Sequence, residues 1–264
     1  MMSRNYYNKF EDFTPENVVF TIGQDSKGKP SISMHYQPAL QKVALVTPPC
    51  VTMWPRVSGD GNFGTMWGPS DITKAKFTLD LSDASIGTAT NDGFNSLKEK
   101  MDATDEKLLE FIFQNQLKIL GRKNLNKDEI RMLQIRSVRP KYDKNTGNMT
   151  GHNINVSTTK YAWDGMGGKY ERKITICDKD GKVVQNGIVG PGDVVAATIY
   201  ANQVYTGVGG DKFGIHWGFE DVQVICQRYK LFEKESVSAF GVCEQSFAQE
   251  YKDFTQIVSD QFEE

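Results

Sequence analysis

The chain has 264 residues, of which 39% are hydrophobic, 24% charged and 11% aromatic, enough apolar content for a real core and too much for wholesale disorder. No apolar run approaches the ~18 residues a membrane-spanning helix needs, and the start of the chain lacks a basic-then-apolar leader, so an intracellular protein is expected. The net charge of −2 hides a gradient: residues 117–174 hold 13 bases and 5 acids, while residues 244–264 hold six acids and one base.

In chain order, the first 70 residues read as short strands, at Asn17–Ile22, Ser31–Tyr36 and Val43–Val46. The segment Gln24–Pro30 (QDSKGKP) has the composition of a hairpin turn, and Pro55–Pro69 that of a loop. Lys74–Leu81 (KAKFTLDL) alternates, with Ala75, Phe77, Leu79 and Leu81 on one face, which predicts a half-buried strand. The period then changes. Phe94–Met101 reads as a helix, and Thr104 as the N-cap of a second one running to about Leu120. Leu108, Leu109, Ile112, Phe113, Leu117 and Leu120 form its apolar stripe, and Gly121 stands where a left-handed terminator belongs. A third helix is expected over Lys127–Ile135.

Beyond residue 137 the pattern is strand again, at Asn153–Tyr161, Tyr170–Asp178, Val194–Tyr205 and Phe213–Arg228. Turn chemistry separates them: DGMGG at 164–168, DKDGK at 178–182, GPGD at 190–193 and GVGGD at 207–211. The last two strands are long, and long strands coiled about one another suit a small closed barrel. On them, Val195, Ala197, Ile199 and Ala201 are expected inward, meeting Ile215, Trp217 and Phe219. Ala196, Thr198, Tyr200 and His216 are expected outward.

The residues offer little to catalysis. Three histidines (His35, His152, His216) and four cysteines (Cys50, Cys177, Cys226, Cys243) have no metal-ligand spacing, and no CxxC pair suggests a zinc knuckle or disulfide scaffold. There is no nucleophile elbow. The GVGG stretch lacks the GK[ST] ending of a phosphate loop, and a hairpin turn accounts for it. No catalytic residue, metal site or cofactor is therefore assigned. The constructive signal is basic and aromatic interleaving between Arg136 and Lys173: cationic grooves track phosphates and aromatic faces stack bases. The same tyrosines also suit ordinary cross-strand filling.

The order of segments carries a resemblance. GNFGTMWGPSD precedes the strand KFTLDL, a helical insertion follows, and INVSTTKYAW opens a second block. Then come the Asp178–Lys182 turn, Gly190 and Gly192 ahead of a long strand, and Val222, Val224 and Ile225 in the last one. This resembles the single-stranded DNA-binding protein family of short-tailed lytic bacteriophages, with relatives in large DNA viruses of eukaryotes. The resemblance covers residues 60–82 and 150–228 and implies an OB-type barrel with a helix inserted after its first strand. It also implies an acidic tail, echoed by the ending Asp260–Glu264.

The expected fold class is thus mainly β with inserted helices, a β-rich α+β fold. It comprises an N-terminal β extension (1–60), an OB-type five-stranded barrel (61–229) with a helical insertion at about 92–136, and a C-terminal acidic, amphipathic tail (230–264). The expected function is sequence-tolerant binding of single-stranded DNA in viral replication, recombination or repair. Arg139, Lys141, Lys160, Lys169, Arg172, Lys173 and Lys212 would contact phosphates. Tyr161, Trp163, Tyr170, Tyr200 and Tyr205 would stack bases. The tail would dock replication proteins, and self-association is a further expected contact. Two other readings stay open: a capsid or tail β protein, and a carbohydrate-binding module stacking sugars on Trp54, Trp67 or Trp163.

Overall fold

The structure, a computed structural model, describes residues 8–25, 28–38, 41–53, 74–82, 91–159, 161–163, 169–171, 175–183, 189–190, 192–208 and 212–226. Six strands come from the N-terminal part: β1 (Asn8–Lys9), β2 (Val18–Gln24), β3 (Pro30–Tyr36), β4 (Gln41–Lys42), β5 (Ala44–Val46) and β6 (Cys50–Met53). The β2–β3 hairpin pairs Val18 with Tyr36 through Gln24 with Pro30. Its turn lies where the Asp, Gly and Lys residues place it, with the Lys29 amide donating to Asp25 Oδ1 at 2.8 Å and Gly28 at φ +74°.

β7 (Lys74–Asp80) forms where the strand was expected, and Leu79 and Leu81 are buried, as is Asp80 between them. Where two helices were expected before residue 114, one forms: α1 (Asn91–Gln114). Thr104 is no cap; its hydroxyl donates to the Lys100 carbonyl one turn back at 2.8 Å, a bond that lets a threonine sit inside a helix. Phe94, Leu97, Met101, Leu108, Leu109 and Ile112 form the buried face. The break comes at Asn115, before the short α2 (Gln116–Leu120), which Gly121 ends at φ +67°. The turn rotates Leu117 off the stripe, and it is half exposed. α3 (Lys127–Leu133) starts on a capping box, with Asn126 and Glu129 each accepting the other's backbone N–H.

The remaining strands are β8 (Gln134–Ile135), β9 (Val138–Tyr142), β10 (Met149–Thr159), β11 (Tyr161–Trp163), β12 (Lys169–Glu171), β13 (Thr175–Cys177), β14 (Val194–Val208) and β15 (Lys212–Cys226). Mostly antiparallel ladders join thirteen strands into one sheet, and β11 with β12 form a separate hairpin. β14 is the hub. One edge pairs along its length with β15; the other meets β3, β5 and β6 in turn. β6 bridges to β7, then β10 and β9 follow, while β15 takes β13 and β8 in parallel. The described ladders do not close this sheet into a barrel.

A strand with neighbours on both edges and cover on both faces is buried whatever its parity. The inward residues Val195, Ala197, Ile199 and Ala201 are buried, and so are Ala196, Thr198 and Tyr200, which had been expected outward. The turn before β14 is fixed by Thr52, whose hydroxyl contacts the Gly190 and Asp193 carbonyls at 2.5 and 3.1 Å. Two lysines then clamp α1 to the N-terminal segment. Lys107 Nζ donates to the carbonyls of Pro15, Glu16 and Val18 at 3.2, 2.8 and 2.8 Å, and Lys100 Nζ reaches those of Phe10 and Glu11. No described helix is long and apolar enough to cross a membrane, and no group of three metal-ligating side chains occurs among the described residues.

Candidate nucleic-acid interface

The basic middle of the chain is sorted by the ladders. β9 and β10 form a hairpin that sets Arg139 opposite Asn153 and Lys141 opposite Gly151. Lys141 then leans onto Asp80, Nζ to Oδ2 2.5 Å, and the other carboxylate oxygen accepts from the amide and hydroxyl of Ser82. Asp80 is buried, so this pair is an internal tie between β9 and β7, and its cation is already matched. Other cations of the stretch are matched too: Arg131 and Arg136 on Glu106, and Lys127 on Glu110.

Arg139 differs. Among the described residues it has no carboxylate partner, and its buried Nε has no hydrogen-bond acceptor. It lines a cavity of about 200 Å³ formed by β7, β9, β10, β14 and β15. The β7–β10 register builds one wall, with Lys76 opposite Ser157 and Thr78 opposite Asn155 on alternate positions that share a face. Lys76 likewise has no carboxylate partner among the described residues, which leaves two unmatched cations in one concavity. Val156, Ile215 and Trp217 back the pocket and are themselves buried.

Tyr205 completes the rim. Its ring lies across Gly214, where an added Cβ would come within 2.7 Å of the phenol oxygen. Burial pushes the Tyr205 hydroxyl above its ordinary range, with Arg139 pulling the other way, so the phenol keeps its proton at neutral pH. His216, expected on the surface, is half-buried between Ser157 and Asn202. Its Nδ1 faces the Asn202 amide nitrogen at 3.1 Å and its Nε2 faces Ser157 Oγ at 2.6 Å. An amide nitrogen can only donate, so Nδ1 accepts and the ring hydrogen sits on Nε2, directed at the serine.

The far wall is held by the helical insertion. Trp217 Nε1 donates to Ser137 Oγ at 2.8 Å, and Ser137 donates from its amide and hydroxyl to the Asp105 carboxylate at 2.7 and 2.8 Å. Burial pushes the Asp105 carboxyl up to about 7 despite these bonds. α1 thereby positions an aromatic residue of the pocket.

Of the residues expected to bind, Arg139 and Tyr205 meet at this pocket. Tyr200 does not: it is fully buried, its hydroxyl 2.9 Å from Thr158 Oγ1, its ring against Gly218 and the Lys42 ammonium 3.3 Å from its centroid. No ring face is left for a base. Lys212 is exposed at the start of β15. For Tyr161, Trp163, Lys169 and Tyr170 the described part is the backbone ladder, which pairs Tyr161 with Glu171, Ala162 with Tyr170 and Trp163 with Lys169. Lys160, Arg172 and Lys173 lie outside the described residues. Lys76, Asn155 and Ser157 were missed. The polar half of the KAKFTLDL alternation was the available signal for Lys76, and the long-range pairing that brings it to Arg139 leaves none.

The pocket can hold an anion against Lys76 and Arg139 and a flat ring against the half-buried Tyr205. The chain matches no protein-family model and no curated protein sequence. Among solved structures it is similar to gp2.5, a single-stranded DNA-binding protein encoded by bacteriophage T7, at 10% identity and a TM-score of 0.49, covering 79% of this chain and 94% of that one. It is also similar to the single-stranded DNA-binding protein of bacteriophage Enc34. Against that protein in complex with single-stranded DNA, identity is 10% and the TM-score 0.39, covering 79% of this chain and 96% of that one. Against the same protein in a second structure, identity is again 10% and the TM-score 0.41, with coverage of 79% and 90%. Both are phage single-stranded DNA-binding proteins, the group that the sequence resembles.

Proposed function

We propose that the chain binds single-stranded DNA with tolerance of sequence, by association and without turnover. One observation carries the reading: Lys76 and Arg139, unmatched by any described carboxylate, share a concavity with the half-buried ring of Tyr205. Cations for phosphates beside aromatic faces for bases are the requirements of single-strand binding. The proposed surface would continue from this pocket along β10, which ends at Thr159, toward β11, which begins at Tyr161. There the remaining basic and aromatic positions, Lys160, Tyr161, Trp163, Lys169, Tyr170, Arg172 and Lys173, would follow the strand.

The biological setting proposed is replication, recombination or repair of a viral genome, which the sequence resemblance supports. The acidic end would dock replication proteins there. Anisotropy titrations with labelled single- and double-stranded oligomers at two or more salt concentrations test the reading. Each neutralised single-strand phosphate adds about −0.7 to the log–log salt slope, so three to five contacts give roughly −2 to −3.5. A slope near zero, or equal affinity for duplex, overturns it. Large assemblies with no retention on single-stranded DNA would favour a structural β protein instead.

A further inference from the structure

We infer that the tip of the helical insertion is a second phosphate-contact surface, which takes the backbone of the bound single strand beyond the Tyr205 rim of the pocket. The inference rests on the strand-binding reading and adds a contact region to it. Charge, rigidity and position lead there.

The stretch Leu117–Lys127 (LKILGRKNLNK) holds four bases and no acid. Lys118, Arg122 and Lys123 are exposed on it. Lys127 and the nearby Arg131 are matched on Glu110 and Glu106, whereas Lys118 and Lys123 have no carboxylate partner among the described residues. Unmatched exposed cations are the groups that neutralise phosphates and release the counterions condensed on a strand. No aromatic residue occurs between Phe113 and Tyr142, so the tip has no ring on which to stack a base. Its chemistry is addressed to the backbone alone.

The tip is also built to hold its shape. Gln116 pins both ends of the turn between α2 and α3: its Oε1 accepts the Leu125 amide at 2.8 Å, and its Nε2 donates to the Phe113 and Leu125 carbonyls at 3.2 and 3.3 Å. The capping box at Asn126 and Glu129 fixes the start of α3 directly after it. Cations on a fixed turn lose less freedom on meeting a phosphate than cations on a mobile one.

Position connects the tip to the pocket. An added Cβ at Gly214 would lie 2.5 Å from the Ile135 carbonyl oxygen and 2.7 Å from the Tyr205 phenol oxygen, so β8 and the Tyr205 rim meet there. α3 leads from β8 back to the tip over seven residues, about 10 Å of helix. α2 packs on β3 and β14, the strand that carries Tyr205. Lys212, exposed one residue before the Phe213–Gln134 pairing, stands on the same side of the rim. A strand leaving the pocket past Tyr205 therefore meets Lys212 and then the tip.

The test uses the full chain and labelled oligo(dT) of ~5 and ~15 nucleotides, lengths within the range that one OB-type unit holds. The double substitution Lys118→Gln with Lys123→Gln should flatten the log–log salt slope on the long oligomer by about 1.4, two phosphates at 0.7 each. The affinity lost between 50 and 200 mM salt then shrinks about sevenfold. On the short oligomer, which the pocket side accommodates, the same protein should keep its slope, and this also shows that it is folded. Lys179→Gln with Lys182→Gln makes the same charge change on an exposed turn beside Gln223, near the other end of β15, and should leave both slopes unchanged. An unchanged slope for the tip variant on the long oligomer overturns the inference and leaves strand binding standing. So does equal flattening by the two variants, which would mark a general charge effect, or equal flattening on the two lengths, which would place the tip within the pocket's own segment. Failure of the unsubstituted protein to bind any single strand overturns the strand-binding reading, and this second surface with it.

Discussion

Replacing Asp105 by Asn isolates the buried carboxyl that connects α1 to the pocket. In the fold this carboxyl is pushed from 3.8 up to about 7, with burial outweighing its two hydrogen bonds from Ser137. Through pH 4–7 the folded protein therefore holds a proton that the unfolded chain has released. Stability from this group is fully present below pH 4, falls as pH rises toward 7, and is flat above it. At 1.36 kcal/mol per pH unit, a rise of about three units corresponds to about 4 kcal/mol. Asp105→Asn has no proton to lose. Between pH 4 and pH 8 the difference in unfolding free energy should thus move by about 4 kcal/mol in the variant's favour. Urea unfolding of both proteins at pH 4, 6 and 8, followed by circular dichroism, measures it. Glu110 is lowered by its hydrogen bonds from Lys127 and Gln114, and Asp143 by those from the Thr146 and Asn145 amides. Both give the opposite slope, but they are common to both proteins and cancel in the difference. A difference that does not change with pH would refute the reasoning, because it would mean that Asp105 is ionised throughout and the Ser137 bonds outweigh burial.

Lys107→Met removes the ammonium from three backbone carbonyls and should cost about 1–3 kcal/mol in denaturant unfolding; an unchanged midpoint would dismiss the clamp. Gly218→Ala puts a Cβ within 2.5 Å of the Tyr200 ring and should destabilise by about 1–3 kcal/mol, with Tyr200→Ala in the same chain recovering part of the loss. Tyr161→Ala, Trp163→Ala and Tyr170→Ala should each weaken single-strand binding by about 1–3 kcal/mol at constant melting temperature, while Tyr200→Ala should lower the melting temperature. Loss of stability in place of binding at all three positions would remove the β11–β12 hairpin from the interface.

Local pattern was readable where one face of an element is buried and the other is not. The KAKFTLDL alternation placed β7, the leucine stripe placed α1, and Gly121 marked the end of α2. Thr104 misled because a threonine hydroxyl can cap a helix or bond back within one, and packing around the helix decides between the two. Parity failed on β14 because β3, β5 and β6, from more than 140 positions earlier, cover an edge that the strand's own sequence does not describe. The same cause explains Tyr200. Its neighbours Lys42, Thr158 and Gly218 come from three distant segments, whereas Arg139 and Tyr205 were legible as types. That Arg139 is unmatched among the described residues and Lys141 matched depends on where Asp80 lies, and charge counting along the chain cannot see it.

The position of β14 as hub also bears on synthesis. β3 ends at Tyr36, yet its partner strand ends at Val208, so about 170 residues must emerge before that edge is covered. At 5–20 residues per second the wait is on the order of 10–30 s, during which β4 covers only the His35–Tyr36 end and the rest of the β3 edge stays unpaired. Such an edge is a template for pairing with another chain. The yield of folded protein should therefore depend on elongation rate and on chaperone supply, and slow translation after residue 36 should favour aggregates joined through β3.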